Sequence, residues 1–76
     1  LYDVGRCLLS DRLLQARMTQ QELANRLGVT RQQIHTYTTG ERLMSLPIAK
    51  NISAVLHCDT DELYEWKPVE ERKKRR

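Results

Sequence analysis

The chain has 76 residues, 39% apolar and 30% charged, enough for one small domain that buries roughly 60% of the surface its unfolded form would expose. No apolar run approaches the roughly 18 residues of a membrane span and no signal or transit segment is visible, so a cytoplasmic protein without a membrane partner is expected. Of the net charge of +3, the five basic side chains of residues 72–76 leave residues 1–71 at −2, so attraction to phosphate must come from local placement or from the tail rather than from a general positive field.

In chain order, Val4, Cys7, Leu8, Leu9, Leu13, Leu14 and Ala16 recur at helical spacing between charges, which predicts an amphipathic first helix over residues 3–17. Met18 then precedes Thr19, which with Glu22 three positions on forms a capping box, and Met18 serves as its hydrophobic staple. A second helix follows over residues 20–27, with Leu23, Ala24 and Leu27 as its apolar stripe. Gly28 supplies the left-handed conformation that ends it. Thr30 and Gln33 repeat the capping arrangement ahead of a third helix over residues 31–38, with Ile34 and Tyr37 facing inward and a polar outward face. Helices this short are marginal alone, so they must pack on one another and on further helices.

Thr39-Gly40 closes the third helix, and residues 41–45 form a polar loop. Pro47 suits the first turn of a fourth helix, whose Ile48, Ala49, Ile52, Val55 and Leu56 bury a broad face. Cys58-Asp59 interrupts it. Asp59 or Thr60 caps a short fifth helix over residues 61–66, with Leu63 and either Tyr64 or Trp66 closing the core. From Lys67 onward the chain has almost no apolar content, so a domain over residues 1–66 is followed by a basic tail over 67–76 that cannot offset its ordering entropy. No internal repeat, second domain or strand-like alternation stands out.

No catalytic constellation is present, and neither enzyme activity, a cofactor nor a small-molecule ligand is expected. His57 and Cys58 are helix neighbours pointing about 100° apart, too divergent for a base and its nucleophile. Ser10, Ser45 and Ser53 lack a histidine and carboxylate at plausible spacing. Asp59, Asp61 and Glu62 lack the further oxygen ligands of a calcium loop. Cys7 and Cys58 lack the paired spacing of a zinc or redox site, so they are expected to be structural thiols and no metal is expected.

Five short helices, with Thr19-Gln20-x-Glu22-Leu23-Ala24, Leu27-Gly28-Val29-Thr30, Ile34 with Tyr37 and Gly40, and Ile52-x-x-x-Leu56-x-Cys58-x-x-x-x-Leu63 in order, resemble the DNA-binding domain of the phage repressor and Cro family of xenobiotic-response-element regulators. The resemblance covers about residues 9–63. It implies an all-α, compact five-helix lambda-repressor-like fold with the helix-turn-helix at helices two and three. Where the family often has glycine or asparagine before the second helix, Arg17-Met18 stands here. Where it closes the third helix with an acidic residue, asparagine and glycine, Thr38-Thr39-Gly40 stands here.

The same resemblance implies function. The third helix would enter the major groove of double-stranded DNA, with Arg31, Gln32, Gln33 and Thr36 as base contacts, since arginine can bond guanine, glutamine adenine, and a threonine methyl the thymine methyl. Gln20, Thr30, His35, Thr38, Thr39 and Arg42 would contact phosphate, and Lys50 would lie along the flanking backbone. One copy reads only a few base pairs, so a homodimer on a two-fold operator is expected, with Leu56, Leu63, Tyr64 and Trp66 as the candidate surface. The basic run of residues 72–76 could track a groove, bind phosphate nonspecifically or be incidental. A sequence-specific transcriptional regulator of phage or prophage type is thus expected. The rival is a protein-interaction adaptor or antitoxin-type module on the same fold, against which the polar outward face of the third helix argues.

Overall fold

The computed structural model describes residues 1–69; the basic run at 72–76 lies outside the described residues. The order is strand β1 (Tyr2–Cys7), helices α1 (Leu9–Ala16), α2 (Gln20–Leu27), α3 (Arg31–Thr38) and α4 (Leu46–Leu56), a 3-10 turn over Thr60–Leu63, and strand β2 (Tyr64–Pro68). The two strands pair antiparallel as Tyr2↔Pro68, Asp3↔Lys67, Val4↔Trp66 and Cys7↔Tyr64.

The architecture is therefore mostly helical but not the all-α five-helix bundle expected from sequence. Residues 3–7, read as the start of the first helix, are strand, and the expected fifth helix is a 3-10 turn running into β2. Gly5 explains part of this. It is poor in a helix, and a Cβ there would meet Glu65 O at 3.0 Å and Glu65 Cβ at 3.1 Å, so a side chain at this position would press the strands apart by a few tenths of an ångström. Gly5 and Arg6 together oppose the single residue Glu65, a β-bulge. Lys67 and Pro68, assigned to the tail from sequence, belong to β2.

Val69 N–H donates to the Leu1 carbonyl at 2.9 Å, which makes Leu1 and Val69 a hydrogen-bonded pair. Pairs alternate along an antiparallel ladder, so Tyr2/Pro68 is a non-bonded pair and Pro68 sits where no N–H toward β1 is needed.

The helical core comprises Leu9 and Leu13 of α1, Leu23 and Ala24 of α2, Ile34 and Tyr37 of α3, Ala49, Ile52 and Leu56 of α4, with Leu63 and Tyr64 closing it. Polar contacts also hold the closing segment. Leu8 N–H donates to Leu63 O at 2.8 Å, and Arg12 Nε to Glu62 O at 2.8 Å. The Tyr64 hydroxyl accepts Met44 N–H at 3.1 Å. Burial pushes the Tyr64 phenol and the Cys7 and Cys58 thiols above their ordinary pKa values, and both thiols are free and half-buried. Arg17 and His57, with φ of 57° each, end α1 and α4 in the left-handed conformation usually given to glycine. Among the described residues no helix is long and apolar enough to cross a membrane.

Candidate nucleic-acid interface

The α2–turn–α3 unit is built from local chemistry. Thr19 Oγ1 accepts Glu22 N–H at 3.0 Å while Glu22 Oε1 accepts Thr19 N–H at 2.8 Å, a complete capping box. Gly28, at φ 74°, ends α2 with its N–H on Ala24 O, and Val29 N–H reaches the same carbonyl at 3.0 Å. Thr30 then caps α3 by accepting Gln33 N–H at 3.1 Å. The second capping box expected from sequence is only half made, because the Gln33 side chain turns away and Nε2 meets Tyr37 Oη at 3.4 Å.

Burial of Ile34 and Tyr37 sets the rotation of α3. At about 100° per residue, Gln32, His35, Thr36 and Thr39 centre on the side opposite that anchor, with Arg31 at its edge. Arg31, Gln32, His35 and Thr39 are exposed and Thr36 is half-buried. Gln33 departs from the sequence expectation. It is half-buried and lines a cleft of about 130 Å³ with Leu27, Val29, Ile34 and Ile48, among others, so it is not brought into the outward group.

Hydroxyl geometry sorts the threonines further. Thr36, Thr38 and Thr39 donate to the carbonyls of Gln33, His35 and Thr36 at 2.7, 2.8 and 3.2 Å. Each has therefore committed its one hydrogen to its own helix and offers an acceptor and a methyl group, so contact with a phosphate oxygen requires Thr38 or Thr39 to rotate first. The cap hydroxyls are the reverse. Thr19 and Thr30 use their oxygens as acceptors and keep the hydroxyl hydrogen for an outside acceptor. Thr19 was absent from the sequence-derived contacts, although its capping role was legible; the spare hydrogen follows from that same role.

Gln20 opens α2 half-buried, and its Oε1 is buried without a hydrogen-bond partner among the described residues. With the oxygen inward, the amide nitrogen is the donor end left for an outside acceptor, beside amides at a helix N-terminus that favour an anion. Arg42 is exposed and its backbone N–H is held by Thr36 O at 3.2 Å. Arg31, Arg42 and the exposed Lys50 make no salt bridge among the described residues.

Charge is segregated along the chain in the matching sense. Residues 19–56 carry four basic and two acidic side chains, whereas residues 57–65 carry four acidic and no Lys or Arg. One of the two acids near the motif, Glu22, is tied into its cap.

The candidate dimer surface needs correction. Leu56 and Tyr64 are buried and Leu63 is 0% exposed, because all three pack in the core. Of the four, Trp66 alone is exposed, at 43%, with its Nε1 donating to Asp61 O at 2.9 Å.

The family described as helix-turn-helix matches residues 9–63 of the chain. The SPbeta prophage-derived uncharacterized HTH-type transcriptional regulator YopS of Bacillus subtilis (strain 168) is 33% identical over 66 residues, spanning 86% of this chain and 89% of that protein.

Proposed function

The chain belongs to the helix-turn-helix family of the phage repressor and Cro type, a family of DNA-binding regulators and not of enzymes, and from that premise we propose that it is a prophage-type transcriptional regulator recognising a specific operator with α3 in the major groove. Arg31, Gln32 and Thr36 read base edges. Gln20, Thr19, Thr30, His35 and Arg42 hold the backbone, joined by Thr38 and Thr39 once their hydroxyls rotate. Gln33 supports α3 from within. The observation that carries this is the rotation of α3: two buried anchors, Ile34 and Tyr37, on one side and side chains matched to guanine and adenine edges on the other.

One copy spans too few base pairs to select a site in a genome, so two copies act on half-sites about 34 Å apart, one helical turn. Occupancy of a site overlapping a promoter represses it, and that work is done in the cytoplasm. Selection of bound sequences from a random duplex pool at physiological salt tests this. The expected winner is two-fold symmetric with half-sites one turn apart. A pool that stays random after repeated rounds overturns the proposal.

A further inference from the structure

We propose that Tyr64 is a positioning residue for DNA binding: its hydroxyl holds the loop between α3 and α4 by the Met44 amide and so fixes where Arg42 meets the phosphate backbone. This rests on the reading of Arg42 as a backbone contact and adds the residue that aims it.

The loop is tied unevenly. Up to Arg42 its amides are bound back to α3 or to its end: Gly40 N–H donates to Tyr37 O at 3.2 Å, Glu41 N–H to Thr39 Oγ1 at 3.3 Å and Arg42 N–H to Thr36 O at 3.2 Å. From Ser45 onward the chain is committed to α4, where Ser45 accepts the Ile48 amide on Oγ and the Ala49 amide on its carbonyl. Between the two, Met44 N–H is the backbone amide with a partner among the described residues, and that partner is Tyr64 Oη at 3.1 Å. Leu43 is 63% exposed and adds little packing. The Met44 side chain packs against the core and locates its Cα, while the hydrogen bond to its amide orients the peptide that joins it to Leu43. Arg42 is therefore held from two sides, by its own amide and by the amide two residues on. Its guanidinium makes no hydrogen bond or salt bridge among the described residues, so the backbone is what aims it.

Tyr64 is a firm post for this tie. Its ring is buried and stands edge-on to Trp66 with centroids 6.3 Å apart, and its backbone pairs with Cys7 across the ribbon. The residue before it, Leu63, is fully buried with its carbonyl on Leu8 N–H. Core and ribbon thus set the place of the hydroxyl independently of the loop. Elsewhere the two parts separate around an open cleft of about 420 Å³, with Val4 and Arg6 on the ribbon side and Thr38, Thr39 and Leu43 on the other. Among the described residues the Met44 bond to Tyr64 is the hydrogen bond that joins loop to ribbon. Phenylalanine would fill the same space in the core and leave the Met44 amide without that acceptor. A phosphate contact positions the protein and carries no sequence information, so the tie governs affinity for any duplex and not base preference.

The test is a double-variant cycle in the full chain with Y64F, R42A and Y64F/R42A. Anisotropy on the selected operator and on an unrelated duplex is read over a series of salt concentrations, at a temperature where circular dichroism shows every variant folded. Y64F is expected to weaken binding to both duplexes about three- to tenfold and to lower the salt slope by up to about one, with base preference unchanged. In the R42A background the same change is expected to cost less than about 1.5-fold, because the guanidinium that it aims is gone. A Tyr64 serving the fold alone would lower the melting temperature and leave binding of the folded protein as it was, or weaken it equally with and without Arg42; either result would overturn the proposal. Amide hydrogen exchange in the free proteins separates the tie from the DNA reading. The Met44 amide is expected to exchange at least about tenfold faster in Y64F, beyond any change in global stability, and an unchanged rate overturns the proposal as well. A loosened Met44 amide in Y64F, together with R42A binding every duplex as tightly as the original, overturns only the reading of Arg42 as a phosphate contact.

Discussion

Gln32 and Gln33 are chemically identical neighbours that α3 turns to opposite uses, and replacing each with alanine separates recognition from support. Gln32 is exposed and makes no side-chain hydrogen bond among the described residues, so its truncation should change stability by less than about 0.5 kcal/mol. If Gln32 reads a base edge as proposed, the same truncation should weaken binding to the selected operator by about 1–3 kcal/mol, roughly 5- to 150-fold in Kd. Gln33 is half-buried with Nε2 on Tyr37 Oη at 3.4 Å. Its truncation should cost about 1 kcal/mol of stability, a Tm drop of roughly 4–8 °C, with the base preference unchanged. Fluorescence anisotropy on the operator and on an unrelated duplex at one salt concentration, with thermal melts of the free proteins, measures both. Equal losses on the two duplexes for Gln32→Ala, or a change of base preference for Gln33→Ala, would refute the assignment of outward and inward sides to α3.

Other consequences follow from particular contacts. Thr19→Ala removes the reciprocal cap of α2 and should cost about 1 kcal/mol in denaturant unfolding, together with weaker binding to any duplex, since the hydroxyl hydrogen is lost too. Arg17→Gly and His57→Gly relieve side chains at φ 57° and should each raise stability by about 0.5–1 kcal/mol; a loss at both would mean those side chains do more than end a helix. Arg42→Ala should lower the salt slope of binding by about one and weaken operator and random duplex alike. The thiols of Cys7 and Cys58 and the Tyr64 phenol have pKa values raised by burial, so the folded state keeps protons that the unfolded chain releases. Their contribution to stability is full below the unfolded values and is lost as pH rises, so unfolding free energy should fall with rising pH from roughly pH 8.5 upward. A stability flat across that range would contradict it.

The helix-turn-helix was legible because its signals act over short distances. Thr19 with Glu22, Gly28, Thr30 and Pro47 each govern backbone groups within four residues, and the structure has those caps and turns where the spacing puts them. The sheet was not, because it joins the two ends of the chain. Val4, Cys7, Leu8 and Leu9 fall at helical spacing, and only pairing with Tyr64 and Trp66 makes the first two strand residues. Tyr64-Glu65-Trp66-Lys67 does alternate, but it is short and ends on a proline, which argues against a strand unless the proline falls in a non-bonded pair. That position is set by the distant Leu1. The contact residues were mixed for a related reason. Sequence gives each side chain its chemistry, but whether Gln33 faces a groove or Tyr37, and whether a threonine hydrogen is already committed, depends on helix rotation and on the carbonyl one turn back.

The most direct measurement is methylation interference on the selected operator, because dimethyl sulfate marks guanine N7 in the major groove and adenine N3 in the minor groove of the same molecules. Guanine N7 methylation inside each half-site should block binding while adenine N3 methylation there leaves it intact. The guanine effect should weaken at one position in Arg31→Ala. Interference confined to adenine N3, or none within the half-sites, would contradict a recognition helix seated in the major groove.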